Sequence, residues 1–197
     1  PGRKAIPYLE AIGKTNVYWR AQFRAQGVPL DVIKLAKDSG CISLGFGIES
    51  VSQDVSNIIN KKLDLNKAKE TIKNLKENDI EARIYLILGL PGEPADIEKR
   101  TWDFIKETEP GMVFLSLFTA RPGTEVYMNP EKFGIKSIDH DWDNSRHLHG
   151  RYDTEIPKLN FEYSDTTPFG KSRSADEIVK GYLELQQKIK EGGYGPT

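Results

Sequence analysis

The sequence predicts an α/β fold built on a parallel sheet, with helices on its outer side. Three observations carry this. Strand-like and helix-like segments alternate, with strand onsets near 17, 42, 82 and 112, and that spacing is close to the roughly 30 or more residues a βαβ unit needs. The third and fourth strand segments are almost wholly apolar, as strands covered on both faces are. Finally, three stretches rich in glycine, proline or hydroxyl residues, 47–50, 89–93 and 119–124, all fall at strand carboxyl ends. Ligands gather there in such sheets, because loops and helix N-termini meet there.

Residues 1–16 read as a short helix ending near Gly13. The segment Val17–Arg24 then alternates, with Val17, Trp19, Ala21 and Phe23 on one face and Tyr18, Arg20, Gln22 and Arg24 on the other. Pro29 suits a first helical position, and Val32, Leu35 and Ala36 form a stripe that stops at Gly40. Next comes Ile42-Ser-Leu-Gly-Phe-Gly-Ile-Glu-Ser50. Period two places Ile42, Leu44, Phe46 and Ile48 together, opposite Ser43, Gly45, Gly47 and Glu49. The second face is stripped of bulk and ends in a carboxylate, so a ligand is expected to fill the space above it.

Helical spacing returns at Val55, Ile58 and Ile59, and again after Asp64, a good N-cap, through Leu65, Ala68, Ile72 and Leu75. The third strand, 82–89, runs into Gly89-Leu-Pro-Gly-Glu-Pro94. This is ordinary turn chemistry, with Pro94 placed to open the next helix and Gly89 allowing close backbone approach. That helix carries Ile97, Thr101, Phe104 and Ile105 and stops near Pro110. The fourth strand, Met112 to Phe118, leads into the turn Thr119–Thr124. From Met128 to about Arg173 periodicity fails over a length beyond that of ordinary loops. Ser174-Ala-Asp-Glu177 is a capping box opening a last helix with Ile178, Tyr182, Leu185 and Ile189 on one face. Two regions result: 1–128, the sheet and its helices, and 129–197, an irregular extension with a terminal helix.

Composition excludes several classes. With 28 basic and 29 acidic residues the net charge is −1, so no global field recruits nucleic acid or a membrane surface. No apolar run approaches the roughly 18 residues of a membrane span, and no charged-then-apolar leader is present. A cytoplasmic setting is expected, in keeping with a single cysteine, Cys41, which excludes internal disulfides and any multi-cysteine metal site within the chain. Cys41 itself reads as a small buried apolar residue. The chain starts at Pro1-Gly2 without an initiator methionine, so it is expected to be part of something longer. Lys61, Lys62 and the lysines of 67–76 read as a solvated face. The cluster Asp139-His-Asp-Trp-Asp-Asn144 fails as an EF-hand, since Asn144 and Gly150 stand where Gly and Glu are needed. His140, His147 and His149 match no zinc motif and read as a solvated loop. Neither GxxxxGK[ST] nor GxGxxG occurs.

The ordered set of these segments resembles the radical S-adenosylmethionine (radical SAM) superfamily. Trp19–Arg24 resembles its third strand, Ser39–Ser50 its fourth, Ile84–Glu93 its fifth and Phe118–Thr124 its sixth. The GIES and PGT variants are most similar to the cobalamin-binding, magnesium-protoporphyrin cyclase-like branch. The resemblance covers roughly residues 15–128 and implies part of a TIM-like (βα) barrel, S-adenosylmethionine as cofactor, and a [4Fe-4S] cluster. It also implies cleavage of bound SAM to a 5′-deoxyadenosyl radical, and cobalamin in a neighbouring domain. By the same resemblance Glu49 contacts the SAM ribose or methionine ammonium, and Gln22 and Arg24 lie near the methionine carboxylate. Ile87 and Gly89 shape the adenine pocket, and Phe118, Thr119 and Ala120 hold the adenine edge through their backbone.

The departure is the family's CxxxCxxC, which is absent; one cysteine cannot supply three cluster thiolates. The chain therefore resembles the C-terminal part of a radical SAM core. It is expected to be inactive alone, to need an upstream part of the same polypeptide, to act on an unknown small molecule, and to self-associate through an open sheet edge. Two alternatives from other classes stand beside this: a scaffold domain that kept the barrel without the cluster, and a hydrolase or aldolase using Glu49 as acid–base. The second lacks a partner base, since Arg24 and Arg121 stay charged.

Overall fold

The computed structural model describes residues 2–24, 27–140 and 157–195. After a 3₁₀ turn at Gly2–Ala5, the elements run α1 (Ile6–Gly13), β1 (Trp19–Phe23), α2 (Leu30–Asp38), β2 (Cys41–Glu49), α3 (Gln53–Ile58), α4 (Leu65–Glu77), β3 (Glu81–Leu88), α5 (Ile97–Thr108) and β4 (Met112–Leu117). Strands β1 to β4 form one parallel sheet in sequence order. The predicted Asp64 cap holds, its carboxylate accepting from the N–H groups of Asn66 and Lys67. Two expectations shift: Pro29 is the N-cap of α2, one residue before its first helical position, and Pro94 lies outside α5, which starts at Ile97 behind Asp96.

One face of the sheet is the core. Leu44, Phe46 and Ile48 of β2 and Ile84, Leu86 and Leu88 of β3 pack against Ile33, Ala36, Ala68, Ile72, Leu75, Phe104 and Ile105 of the helices. Among the described residues no helix covers the opposite face. There Arg20 and Gln22 are exposed, and Arg83, Tyr85, Ile87, Met112 and Phe114 are half-buried. The expectation that β3 and β4 are covered on both faces is therefore corrected. Strand β3 alternates strictly between buried and half-buried residues, and in β4 only Val113 is fully buried. Apolar residues line the open face as well (Tyr85 stacks on Phe114 with ring centroids 5.1 Å apart), which is why composition alone read as two-sided burial.

At the start of β2 the register jumps, with Trp19 opposite Cys41 and Arg20 opposite Ser43. Ile42 is bulged out of the ladder and 38% exposed, rather than sharing the core face with Leu44. The preceding Val17 lies outside β1 and is 49% exposed.

The 129–173 stretch, in which no periodicity is visible, holds short elements. The one-turn α6 (Glu125–Met128) and a 3₁₀ turn at Pro130–Phe133 precede β5 (Ile135–Ile138). This strand pairs antiparallel with β6 (Phe161–Tyr163), and β7 (Thr166–Thr167) pairs with β8 (Gly170–Lys171). Strands of two to four residues are too brief to show a period. The predicted capping box is present, with the Ser174 hydroxyl accepting from the Glu177 N–H and the Glu177 carboxylate accepting from the Ser174 N–H. It opens α7 (Ala175–Glu191), whose Tyr182, Leu185 and Ile189 enter the main core. Beyond α7 the chain returns to β4, where the Val113 N–H donates to the Tyr194 carbonyl at 2.8 Å.

Candidate functional site

At the carboxyl end of β2 a second register shift, between Gly47 and Glu49, places Glu49 opposite Leu86 and gives it a left-handed backbone, φ 63°. The shift re-aims the Glu49 side chain back along the open face, as bulges beside sites do. Its Oε1 lies 2.8 Å from Nζ of Lys61, in the connection between α3 and α4. A Cβ at Gly47 would come within 2.2 Å of that oxygen, and one at Gly45 within 3.0 Å of the Tyr85 ring. This corrects the reading of the stripped face as ligand space. The chain's own Tyr85 fills the room over Gly45, and the Glu49–Lys61 pair fills the room over Gly47. Lys61 is likewise not part of a solvated face.

Gln22 sits opposite Gly45 on β1, and its amide donates to the Tyr85 hydroxyl at 3.3 Å. Arg24 follows β1 directly. With Phe23, Gly47, Ile59, Asn60 and Lys61 it lines an open groove of about 480 Å³. The structure therefore brings Gln22, Arg24 and Glu49 to the carboxyl end of the sheet, Gln22 and Glu49 on its open face.

At the end of β3, Ile87 is half-buried on that same face, and Gly89 takes the left-handed φ of 88° that the turn requires. The turn is held from inside. The Glu93 carboxylate, 3% exposed, accepts from the N–H of Gly89 at 2.9 Å and of Leu90 at 3.1 Å. Burial pushes Glu93 up to about 7, against the pull of those two hydrogen bonds and of Arg173. Arg173, just before α7, stands 3.6 Å from Glu93 and pairs more closely with Glu98. The Tyr163 hydroxyl donates to the Gly89 carbonyl at 2.9 Å. Leu159, Phe118 and Ile178 surround the position where a Gly89 side chain would begin.

At the end of β4, Phe118 continues the ladder by donating its N–H to the Leu88 carbonyl at 2.7 Å. Its ring meets Phe161 edge-on at 5.4 Å. Ala120 is fully buried, and its N–H and C=O are both taken by the Asn160 side-chain amide. Thr119 lies between them. Glu93, Asn160, Arg173 and Lys61 are the polar residues that sequence reasoning missed. Glu93 had a local signal, a carboxylate four residues beyond a turn glycine; the others act across long sequence separations.

Among the described residues no three His, Cys, Asp or Glu side chains form a metal-binding group. The Cys41 thiol is buried, points to the Ser43 carbonyl at 3.7 Å, and is pushed up to about 11 by burial. A thiol so placed is no cluster ligand, and the chain's residues do not fit a [4Fe-4S] cluster. His140 meets the Tyr127 hydroxyl through Nδ1 at 2.6 Å, while Trp142, His147 and His149 lie outside the described residues. No helix among the described residues is long and apolar enough to cross a membrane.

Comparison with known proteins bears on this geometry. Residues 4–105, just over half the chain, match the model of the radical SAM superfamily. Bacteriochlorophyllide d C-12(1)-methyltransferase of Chlorobaculum tepidum is 25% identical over 186 residues, 93% of this chain and 37% of that protein. The anaerobic magnesium-protoporphyrin IX monomethyl ester cyclase of Cereibacter sphaeroides is 26% identical over 114 residues, 57% of this chain and 19% of that protein. Among solved structures, the radical S-adenosylmethionine methyltransferase TsrM of Kitasatospora setae, with cobalamin and a [4Fe-4S] cluster bound, superposes with a TM-score of 0.53 at 13% identity. That match covers 58% of this chain and 25% of that one. The chain thus spans little more than a third, or less, of these three proteins.

Proposed function

The chain belongs to the radical SAM superfamily, and on that premise we propose that it forms the SAM-binding C-terminal part of the barrel of a larger methyltransferase- or cyclase-type enzyme. The observation that carries this is the groove at the carboxyl end of the sheet lined by Arg24, Gly47 and Lys61, with Glu49 held against Lys61 over Gly47 and Gln22 beside Gly45 on the neighbouring strand. These donors and acceptors suit SAM. Arg24 offers a guanidinium to the methionine carboxylate, with Gln22 nearby, and Glu49 accepts from the ribose or the ammonium group. Ile87 and Gly89 border the adenine. With the Ala120 backbone engaged by Asn160, the adenine edge is left to Thr119 and the Phe118 carbonyl. SAM, when bound, supplies the methyl or radical chemistry, and the protein's part is to bind and orient it.

The cluster is assigned to an upstream part of the same polypeptide, cobalamin to a neighbouring domain, and the substrate, a small molecule, to loops beyond the sheet. Self-association through β1 belongs to the same proposal. Among the described residues this strand pairs only with β2, and an open edge is a template for another chain.

Calorimetric titration of SAM into the full-length protein tests the site: Glu49→Gln is expected to weaken binding about tenfold, the worth of a charge-assisted hydrogen bond. Unchanged affinity would remove Glu49 from the site. Treating this chain alone with iron and sulfide is expected to give no [4Fe-4S] absorption band; a band accompanied by SAM cleavage would overturn its reading as an incomplete enzyme.

A further inference from the structure

The backbone polar groups at the ends of β3 and β4 are claimed unevenly. Gly89 donates its N–H to the Glu93 carboxylate and accepts at its carbonyl from the Tyr163 hydroxyl. Ala120 has both groups engaged by the Asn160 amide. Thr119, between Phe118 and Ala120, has neither group engaged among the described residues. Asn160 directly precedes β6 and Tyr163 ends it, so one short strand reaches both turns. Between them Phe161 is buried and edge-on to Phe118 at 5.4 Å and to Tyr163 at 5.0 Å. It packs with Ala120 and Ile135 in a second core, separate from that of the sheet. Leu159 lies 3.7 Å from where a Gly89 Cβ would sit. Burial and the Glu93 carboxylate push the Tyr163 phenol far above its ordinary value, so it remains a donor to Gly89.

We infer that Asn160 and Tyr163 are positioning residues, and that β6 is a clasp which sets the turns after β3 and β4 as one unit. The unclaimed N–H and carbonyl of Thr119 are then fixed from both sides. Phe118 is held by the Leu88 carbonyl and by the ring of Phe161, and Ala120 is held by Asn160. For its ligand, a purine nucleoside, the inference rests on the SAM-binding reading of the strand ends; what it adds is the part that holds the wall. Hydrogen bonds weaken steeply with misalignment, so turns that shifted independently would lose the shared edge they present. A strand with its own close-packed core, bonded to both turns, transmits a shift at one to the other. On this reading β6 acts through Gly89 and Thr119. A strand that merely filled the second core would leave the two turns uncoupled.

Hydrogen exchange and calorimetry on the full-length protein test this. Tyr163→Phe deletes the bond to Gly89 and keeps the ring. It is expected to speed exchange at the Ala120 amide, on the other turn, about tenfold. Asn160→Asp is expected to do the same, reciprocally, at the Gly89 amide. Wild type is expected to bind 5′-deoxyadenosine about tenfold more tightly than 5′-deoxyinosine, which lacks the exocyclic amine. In Tyr163→Phe, with its fold checked by thermal melting, that preference is expected to fall to about threefold. Protection of Ala120 unmoved by Tyr163→Phe overturns the clasp and leaves the SAM site standing. Faster exchange with the base preference intact makes β6 structural alone and overturns the positioning role. Failure of wild type to bind either nucleoside overturns the SAM reading, and the positioning role with it.

Discussion

The side-chain amide of Asn160 pairs with both backbone groups of Ala120, its oxygen accepting from the Ala120 N–H at 3.0 Å and its nitrogen donating to the Ala120 carbonyl at 2.8 Å. Forty residues separate the two, and both are buried. The turn after β4 is thereby fixed to the start of β6. Asn160→Asp keeps the acceptor but turns a carboxylate oxygen towards the Ala120 carbonyl. A loss of about 1–3 kcal/mol in urea unfolding is expected, together with faster hydrogen exchange at the Ala120 amide.

Arg173 stands between two carboxylates, Glu93 and Glu98, and also donates to the Glu177 carbonyl at 3.1 Å. Removing it by Arg173→Met strands the buried Glu93. Breaking a buried pair from one side costs about 3–5 kcal/mol. Adding Glu93→Gln to Arg173→Met is expected to recover part of that loss, a non-additivity read directly from denaturation midpoints.

Glu93 makes stability depend on pH. Burial raises its folded-state value to about 7, above that of the unfolded chain, so between roughly pH 4.5 and 7 the folded state holds a proton that the unfolded state has released. Stability from this group is fully present below that window and is lost as pH rises through it. Wild type is therefore expected to lose stability relative to Glu93→Gln between pH 5 and pH 8, by up to roughly 3 kcal/mol. Paired urea melts at the two pH values check the sign.

Gly40 and Gly47 offer the same 2.2 Å of clearance to an added methyl, and the two substitutions should diverge. At Gly40 the obstacle is the Val17 carbonyl, a backbone atom, and φ is 93°. Gly40→Ala is expected to cost on the order of 2–3 kcal/mol. At Gly47 the obstacles are the ends of the Glu49 and Lys61 side chains, which can swing away. Gly47→Ala is expected to change stability by less than about 1 kcal/mol, yet weaken SAM binding as Glu49→Gln does. Thermal melts and calorimetry on the two variants separate the outcomes.

What the sequence determined by itself is the order of elements and the ends of many of them. Alternation in Trp19–Phe23, the helical spacing of Leu65–Leu75, the cap at Asp64 and the capping box at Ser174 are contacts within a few residues, and such contacts leave a period or a spacing to read. The placement of three site stretches at strand carboxyl ends follows from that order. Tertiary structure alone decided what stands over Gly45 and Gly47, because Tyr85 and Lys61 reach them from other elements. It also decided that Ile42 bulges out, and that Asn160 and Arg173 hold turns built 40 and 80 residues earlier. A hydrogen bond between distant residues has no sequence period. Only the folded backbone, by bringing strand ends and the β6–α7 region together, makes the partners visible.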